Sequence, residues 1–181
     1  MKTCNSAKNQ DKILRRLERQ EKQDAFKRNR FFKFKLTEIH NNLFQKLLME
    51  NIIETDKPGA VSNALLKGLK KALNSSEFDI NYFIAPIREL VPHPNIHALY
   101  MTQYILEVLI DDPDVIDIFG TDEHIYKVIK GVFDRISAQF EKTEEAVLAQ
   151  IASDKTIVPG SSEYETAFEQ LLFKKVGEPQ K

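Results

Sequence analysis

The sequence predicts an all-α protein. Only 6 of its 181 residues are glycine and 7 are proline, so breaks in the helical pattern are few. Apolar residues recur every three or four positions, whereas the alternating runs that predict strands are rare. The apolar share of 42% and the charged share of 29% are typical of a globular protein. We expect a compact helical domain of two related helical hairpins plus a C-terminal helix, with a protruding basic N-terminal helix.

The stretch 95–136 predicts the centre of this domain. Asn95 is a typical N-cap, because its side chain can accept hydrogen bonds from the first free amides of a helix. The helix that follows has a wide apolar face, which favours a buried central position. Its members are Ile96, Leu99, Tyr100, Gln103, Tyr104 and Val108, broadened by Ile105, Leu106, Leu109 and Ile110.

Capping patterns predict the remaining elements of the second half. Asp112-Pro113 predicts the start of a short helix that Gly120 closes. Thr121 predicts the cap of a long helix, 122–152. Ser162 and Glu165 match a capping box, which predicts a last helix that ends at Gly177.

The first half predicts helices over 36–50, 60–73 and, with a cap at Asp79, about 80–90. A weak internal repeat links the halves, because the Lys-Gly pairs 67–68 and 130–131 lie in similar helices after acidic turns. Two such hairpins could pack pseudo-symmetrically around one core. The alternative is that any two helical hairpins look alike at this level.

The net charge of −1 hides an uneven distribution. Residues 1–35 contain twelve Lys and Arg against four Asp and Glu, a net charge of +8. The remaining 14 basic and 23 acidic residues give −9. We therefore predict a basic arm, 1–35, and an all-helical body, 36–177. The arm's apolar stripe is thin, so we expect its helix to protrude or to order on a partner.

The basic arm is the strongest functional indication in the sequence. Cations and aromatic rings together suit a polyanion, since charges bind phosphates and rings stack on bases. The predicted contact residues are Arg15, Arg16, Arg19, Lys27, Arg28, Arg30, Lys33 and Lys35, with Phe31 and Phe32 as stacking groups. RNA or a ribonucleoprotein is favoured over an anionic membrane. Other interpretations are docking on an acidic protein, including a second copy, and a solvated tail whose phenylalanines enter the core.

Candidate metal and catalytic groups have simpler structural explanations. An acidic cluster surrounds the turn after the central helix, but it lacks the glycine and closing glutamate of a calcium loop. Helix starts explain it equally well. Its members are Glu107, Asp111, Asp112, Asp114, Asp117, Asp122 and Glu123. His93 and His97 are separated by Pro94 and the Asn95 cap, so they need not share a face. For His40 and His124 a structural role is also the default.

Two segments resemble a bacterial family catalogued as "domain of unknown function 507". One is YILEVLIDDPDVIDIFGTDEHIYKVIKGVF at 104–133, and the other is VPGSSEYETAFEQLLFKKVG at 158–177. Family members often have Trp where Tyr164 stands here. The resemblance extends over about 36–177 and excludes the arm. It implies an all-helical cytoplasmic protein and implies no activity.

These observations favour a non-catalytic binding or assembly protein without catalytic residues, metal or cofactor. We expect its arm to contact RNA or a ribonucleoprotein and its acidic body to dock a protein partner. No pattern indicates a small-molecule substrate. The single cysteine, Cys4, and the absence of an apolar signal core favour the cytoplasm. The alternatives are a protein–protein scaffold subunit and, less favoured, a metal-dependent enzyme.

Overall fold

The computed structural model describes residues 4–74 and 95–177, without the side chains of residues 4–8 and Ile96. Within these ranges the fold is all-α, as predicted, with one small sheet. The elements are α1 Cys4–Met49, β1 Ile53–Glu54, α2 Pro58–Leu73, α3 Ile96–Asp111, β2 Asp117–Ile118, α4 Asp122–Ala152 and α5 Ser162–Val176. The predicted helix over 80–90 lies outside the described residues.

The caps of α3 and α4 are those that the sequence predicts. The Asn95 side chain accepts hydrogen bonds from the amides of His97 and Ala98, at 3.0 and 3.1 Å. The Thr121 hydroxyl accepts one from the amide of His124 at 3.2 Å. Each bond satisfies an amide that lacks a partner within the first turn of its helix. Most of the apolar face of α3 is buried, although Ile110 is exposed.

The two helical hairpins meet through a two-stranded antiparallel sheet. β1 follows the first helix of one hairpin, and β2 follows the first helix of the other. Ile53 pairs with Ile118, and Glu54 pairs with Asp117. Equivalent strands that pair antiparallel are related by a local two-fold axis. Consistent with this axis, α2 packs on α3 while α4 packs on α1.

The contact between α2 and α3 is close because a glycine lies at the crossing. A Cβ atom on Gly68 would lie 2.8 Å from the backbone oxygen of Tyr104 and 2.9 Å from Cγ2 of Val108. Both distances are shorter than a van der Waals contact. In α4, Gly131 has the equivalent place in the sequence repeat, but no atom lies within 4 Å of its Cβ position. The two hairpins therefore differ at this point.

Helix α1 runs antiparallel to α4. Arg135 Nη2 donates to Asn42 Oδ1 at 2.7 Å, and the rings of Phe31 and Phe140 lie 5.4 Å apart. Residues nearer the N-terminus of α1 thus contact residues nearer the C-terminus of α4. With an equal rise per residue, Ala152 at the end of α4 lies beside about residue 22 of α1.

Two predicted elements are wrong in detail. Asp112–Gly120 is a turn that contains β2, not a short helix, because residues 116–119 form backbone hydrogen bonds with residues 52–54. The cap of α5 is Ser161, whose hydroxyl accepts from the Tyr164 amide at 3.2 Å, and not Ser162. Gly177 ends α5 as predicted, with a φ of 97° that disfavours other residues.

Candidate nucleic-acid interface

The first part of α1 projects beyond the body. From residue 9 to residue 29 every side chain is exposed except that of Ala25, which is partly buried. We call this range the projecting segment. At 1.5 Å per residue it is about 30 Å long, and roughly its first half extends past the end of α4.

The cations of the projecting segment share one helical face. Lys12, Arg15, Arg19 and Lys22 follow each other at steps of three and four residues, so their side chains align along the helix. Arg19 is two residues after Leu17, which places the two side chains about 160° apart around the axis. The cationic face is therefore opposite the apolar stripe.

Several exposed cations of the projecting segment lack internal carboxylate partners. Five predicted contact residues are exposed and form no ion pair with any described residue, namely Arg15, Arg16, Arg19, Lys27 and Arg28. Their charges are consequently available to an external anion.

The structure places three other predicted contact residues against carboxylates of the same chain. Arg30 Nε lies 2.8 Å from Glu144 Oε1, and Arg30 retains only 15% of its side-chain exposure. Lys35, 17% exposed, pairs with Glu38. The Arg30 and Lys35 assignments are therefore corrected to intramolecular ion pairs. Lys33 is half-exposed, and its Nζ lies 4.0 Å from Glu169 Oε1, a weaker contact.

The stacking role of Phe31 and Phe32 is also corrected. Both side chains are 7% exposed and belong to the core. Phe31 makes edge-to-face contacts with Phe133 at 5.5 Å and Phe140 at 5.4 Å between ring centroids. A ring held in this way cannot stack on a base without opening the core. Burial thus begins at Arg30, earlier than the predicted end of the arm at residue 35.

A continuing apolar face gave the signal for this burial. Phe32, Leu36, Ile39 and Leu43 follow at steps of four, three and four, which is the spacing of one buried helical stripe. The phenylalanines extend that stripe and do not form a separate motif. Lys33 and Lys35 are next to these phenylalanines in the sequence, which suggested a nucleic-acid motif. Adjacent residues on a helix point in different directions, so the lysines and the rings do not form one surface.

The acidic turn after α3 is held by internal contacts. Lys57 Nζ lies 2.7 Å from Asp114 Oδ1, and the pKa of Lys57 is raised by its hydrogen bond to that carboxylate. The Thr55 hydroxyl donates to the Asp114 carbonyl at 2.6 Å. Asp112 accepts from the Asp114 amide at 2.8 Å. The two Asp114 contacts join the hairpins beside the sheet, whereas the Asp112 contact lies within the turn.

The described histidines have structural contacts. His40 Nε2 lies 2.7 Å from the Ser62 carbonyl oxygen and 3.1 Å from its hydroxyl. His97 packs between the rings of Phe32 and Phe133, and burial, with a smaller effect of Arg28, lowers its pKa. His124 is exposed, 3.8 Å from Glu50. His93 lies outside the described residues.

A groove lies at the base of the projecting segment. It is bounded by α1 from Lys22 to Phe31, by α4 from Phe133 to Leu148, and by α5 with its preceding loop from residue 160 to residue 170. Its volume is about 1560 Å³. We call it the α1–α4–α5 groove. Buried Phe168 forms part of its floor, while Phe26 and Leu148 are partly exposed on its sides.

Two further findings concern the described residues. Over 4–74 and 95–177 there is no group of three or more His, Cys, Asp or Glu side chains that could hold a metal ion. Over the same ranges no helix is apolar over enough length to cross a lipid bilayer.

Comparison with protein families finds one similarity, in the second half of the chain. Residues 97–177 match the model of a family described as protein of unknown function (DUF507). Over these residues the chain is similar to that family. The family resemblance is confirmed over this range, and for residues 36–96 it stays a prediction. No curated protein and no solved structure matches the chain.

The matched range contains nearly all of α3, together with β2, α4 and α5. It therefore supplies one complete hairpin, the C-terminal helix and two sides of the α1–α4–α5 groove. The projecting segment lies outside the matched residues. Any role of its cations must therefore be argued from this chain.

Proposed function

We propose that the protein is a non-catalytic binding protein whose projecting segment binds RNA, alone or within a ribonucleoprotein. One observation carries the proposal: five exposed cations on the segment have no carboxylate partner among the described residues. Lysine and arginine that replace the counterions of a phosphate backbone gain free energy from the ions released.

The contact set is smaller than the sequence suggested. It comprises Arg15, Arg16, Arg19, Lys27 and Arg28. Arg15 and Arg19 share one face with Lys12 and Lys22, whereas Arg28, nine residues after Arg19, points to the opposite side of the helix. The segment thus contacts phosphates and reads no bases, because Phe31 and Phe32, which follow it, are in the core and its own Phe26 borders the α1–α4–α5 groove. We expect binding without strong sequence preference.

The acidic body complements this role. Its net charge of −9 repels nucleic acid, so RNA should remain on the segment and not spread over the body. The body is then free to contact a protein partner in a cytoplasmic assembly. No catalytic group is required by this function.

A charge-reversal pair tests the proposal. Arg15→Glu/Arg19→Glu alters two exposed side chains on the cationic face, and we expect it to weaken binding of a 20-nucleotide single-stranded RNA by at least about tenfold. The matched control is Lys174→Glu/Lys175→Glu, which changes two exposed cations at the end of α5 by the same total charge. Equal weakening by both variants would mean that net charge alone governs binding, and would reject the proposed interface.

The membrane alternative is decided by the same proteins. Vesicles with 30% anionic lipid replace the RNA in a sedimentation assay. The apolar stripe of the segment has only three large members before Phe26, namely Ile13, Leu14 and Leu17, a small area for insertion. Binding to vesicles but not to RNA would overturn the RNA proposal.

A further inference from the structure

The projecting segment carries an apolar stripe that nothing in the described chain covers. Ile13, Leu14 and Leu17 are 58, 56 and 50% exposed. Eighteen residues make five full helical turns, so Ile13 and Leu14 point in the same directions as Phe31 and Phe32. The face that enters the core of the body therefore continues along the segment without a core to contact.

The α1–α4–α5 groove presents apolar surface to the same end of the molecule. Phe26 is 58% exposed on one side and Leu148 is 41% exposed on the other, above the buried ring of Phe168. Because these apolar groups on facing walls are exposed, the groove can accept apolar side chains of another molecule. The groove is about as long as the roughly four helical turns of α4 that border it, about 22 Å.

Charge on the α4 and α5 walls favours a basic occupant on that side of the groove, whereas the α1 wall carries Lys22, Lys27, Arg28 and Arg30. The residues of α4 and α5 that line the groove include five glutamates and, within the described chain, no lysine or arginine. Glu144 and Glu169 face Arg30 and Lys33, whereas Glu141, Glu145 and Glu165 form no ion pair with a described residue. A helix that brings apolar side chains together with positive charge complements this surface.

The chain itself contains such a helix. We propose that the projecting segment of a second copy of this chain occupies the α1–α4–α5 groove, with Ile13, Leu14 and Leu17 packed against Phe26 and Leu148. Arg16, three residues after Ile13, flanks the apolar stripe and lies on the side of the groove glutamates.

The position of the groove makes this contact reciprocal. The apolar stripe at 13–17 lies just beyond the end of the groove, whose α1 wall begins at Lys22, so two antiparallel α1 helices that cross near residue 20 each enter the groove of the other. Such an isologous dimer forms every contact twice. It also supports a helix that would otherwise lack packing.

The dimer leaves part of the proposed RNA surface free, whereas Arg16 flanks the buried stripe and Lys27 and Arg28 line the groove. Lys12, Arg15 and Arg19 are opposite the apolar stripe, so they stay exposed when the stripe is buried. The dimer would place two cationic faces on one particle. Experiments on the dimer use protein freed of nucleic acid, so that either proposal can fail alone.

Sedimentation equilibrium of the full chain from 1 to 100 µM tests the dimer. The expected mass is twice the 20.9 kDa of the chain. Ile13→Glu/Leu17→Glu and, separately, Leu148→Glu should each weaken dimerisation at least tenfold. These side chains are exposed in one copy, so the variants should fold, and circular dichroism checks this. The control is Ile110→Glu, an equally exposed apolar residue at the end of α3, which should leave the dimer intact.

Mixing gives the decisive result. A variant with an altered segment and a variant with an altered groove retain one intact segment and one intact groove between them. We expect the mixture to form a dimer, although neither variant dimerises alone. A wild-type chain that stays monomeric at 100 µM, a dimer that survives both variants, or a mixture that remains monomeric would overturn the proposal.

Discussion

Arg30 Nε lies 2.8 Å from Glu144 Oε1 at the point where α1 meets the body. The two side chains are 15 and 14% exposed, and the guanidinium also lies over the ring of Phe168 at 4.4 Å from its centroid. Neither atom is aligned for a hydrogen bond, so the contact is an ion pair. Burial raises the pKa of Glu144 although Arg30 acts to lower it. For this carboxyl the effect of burial on the pKa thus outweighs the effect of Arg30.

This balance predicts a non-additive double-mutant cycle. Arg30→Met or Glu144→Met alone should each destabilise the fold by about 2–3 kcal/mol, because one charge stays buried without its partner. The double variant should be within about 1 kcal/mol of the wild type. Urea unfolding of all four proteins measures the cycle. Additive losses would contradict an ion pair that links the two helices.

The raised pKa of Glu144 also sets the sign of a pH effect. The stability that this group contributes is complete below its unfolded pKa, about 4.5, and is lost as pH rises through the folded value. The double variant should lack this loss when the unfolding free energies are compared between pH 4 and pH 7.

Substitution by alanine should have opposite effects on stability at two glycines that occupy equivalent places of the repeat. Gly68→Ala forces α2 and α3 apart, since its Cβ would lie 2.8 Å from the Tyr104 backbone oxygen. We expect a loss of about 2 kcal/mol. Gly131→Ala meets open space inside α4 and should gain up to about 1 kcal/mol from helix propensity. Thermal unfolding of both variants checks this, and a stabilising Gly68→Ala would contradict the close crossing.

The burial of Phe31 predicts a large effect on stability. Phe31→Ala should cost about 3–5 kcal/mol, because it removes a ring packed against Phe133 and Phe140. Phe26→Ala, on the same helix but 58% exposed, is the matched control and should cost less than about 1 kcal/mol in the monomer. If both variants lose similarly little free energy of unfolding in urea, Phe31 is an exposed side chain that is available for binding.

His97 should make the fold sensitive to mild acid. Its pKa is lowered below the ordinary value of 6.5, chiefly by burial. Because the histidine pKa is lowered in the folded state, the unfolded state binds more protons in mild acid. The stability that His97 contributes is therefore fully present above about pH 6.5 and decreases as the pH falls from 6.5 toward the lowered pKa. His97→Phe keeps a ring against Phe32 and Phe133 and removes this proton uptake. The fall in unfolding free energy from pH 7.5 to 5.5 should shrink in the variant, and an unchanged fall would assign the effect to other groups.

Local patterns were sufficient to predict most helices. α4 has the predicted bounds, 122–152, because its cap at Thr121 and its continuous apolar stripe are both signals within a few residues of each other. The same holds for the cap of α3. The turn after α3 could not be predicted in this way. Its residues 117–118 are extended because they pair with residues 53–54, and a partner more than sixty positions away leaves no local signal.

The candidate site was predicted in part for a similar reason. Exposure of Arg15, Arg16 and Arg19 follows from a helical segment too poor in apolar residues to pack. Pairing of Arg30 with Glu144 depends on the antiparallel arrangement of α1 and α4, which only the tertiary fold determines. The composition of the sequence identified the charged segment. Its end, at the start of burial at Arg30, depends on packing against the body.

The salt dependence of RNA binding tests the central claim most directly. With five cations on phosphates, the logarithm of the association constant should fall against the logarithm of salt concentration with a slope of about −3.5 for single strands. Arg15→Glu/Arg19→Glu should reduce that slope to about −2, and Lys174→Glu/Lys175→Glu should leave it unchanged. A slope near zero, or the same slope in all three proteins, would contradict binding through the projecting segment.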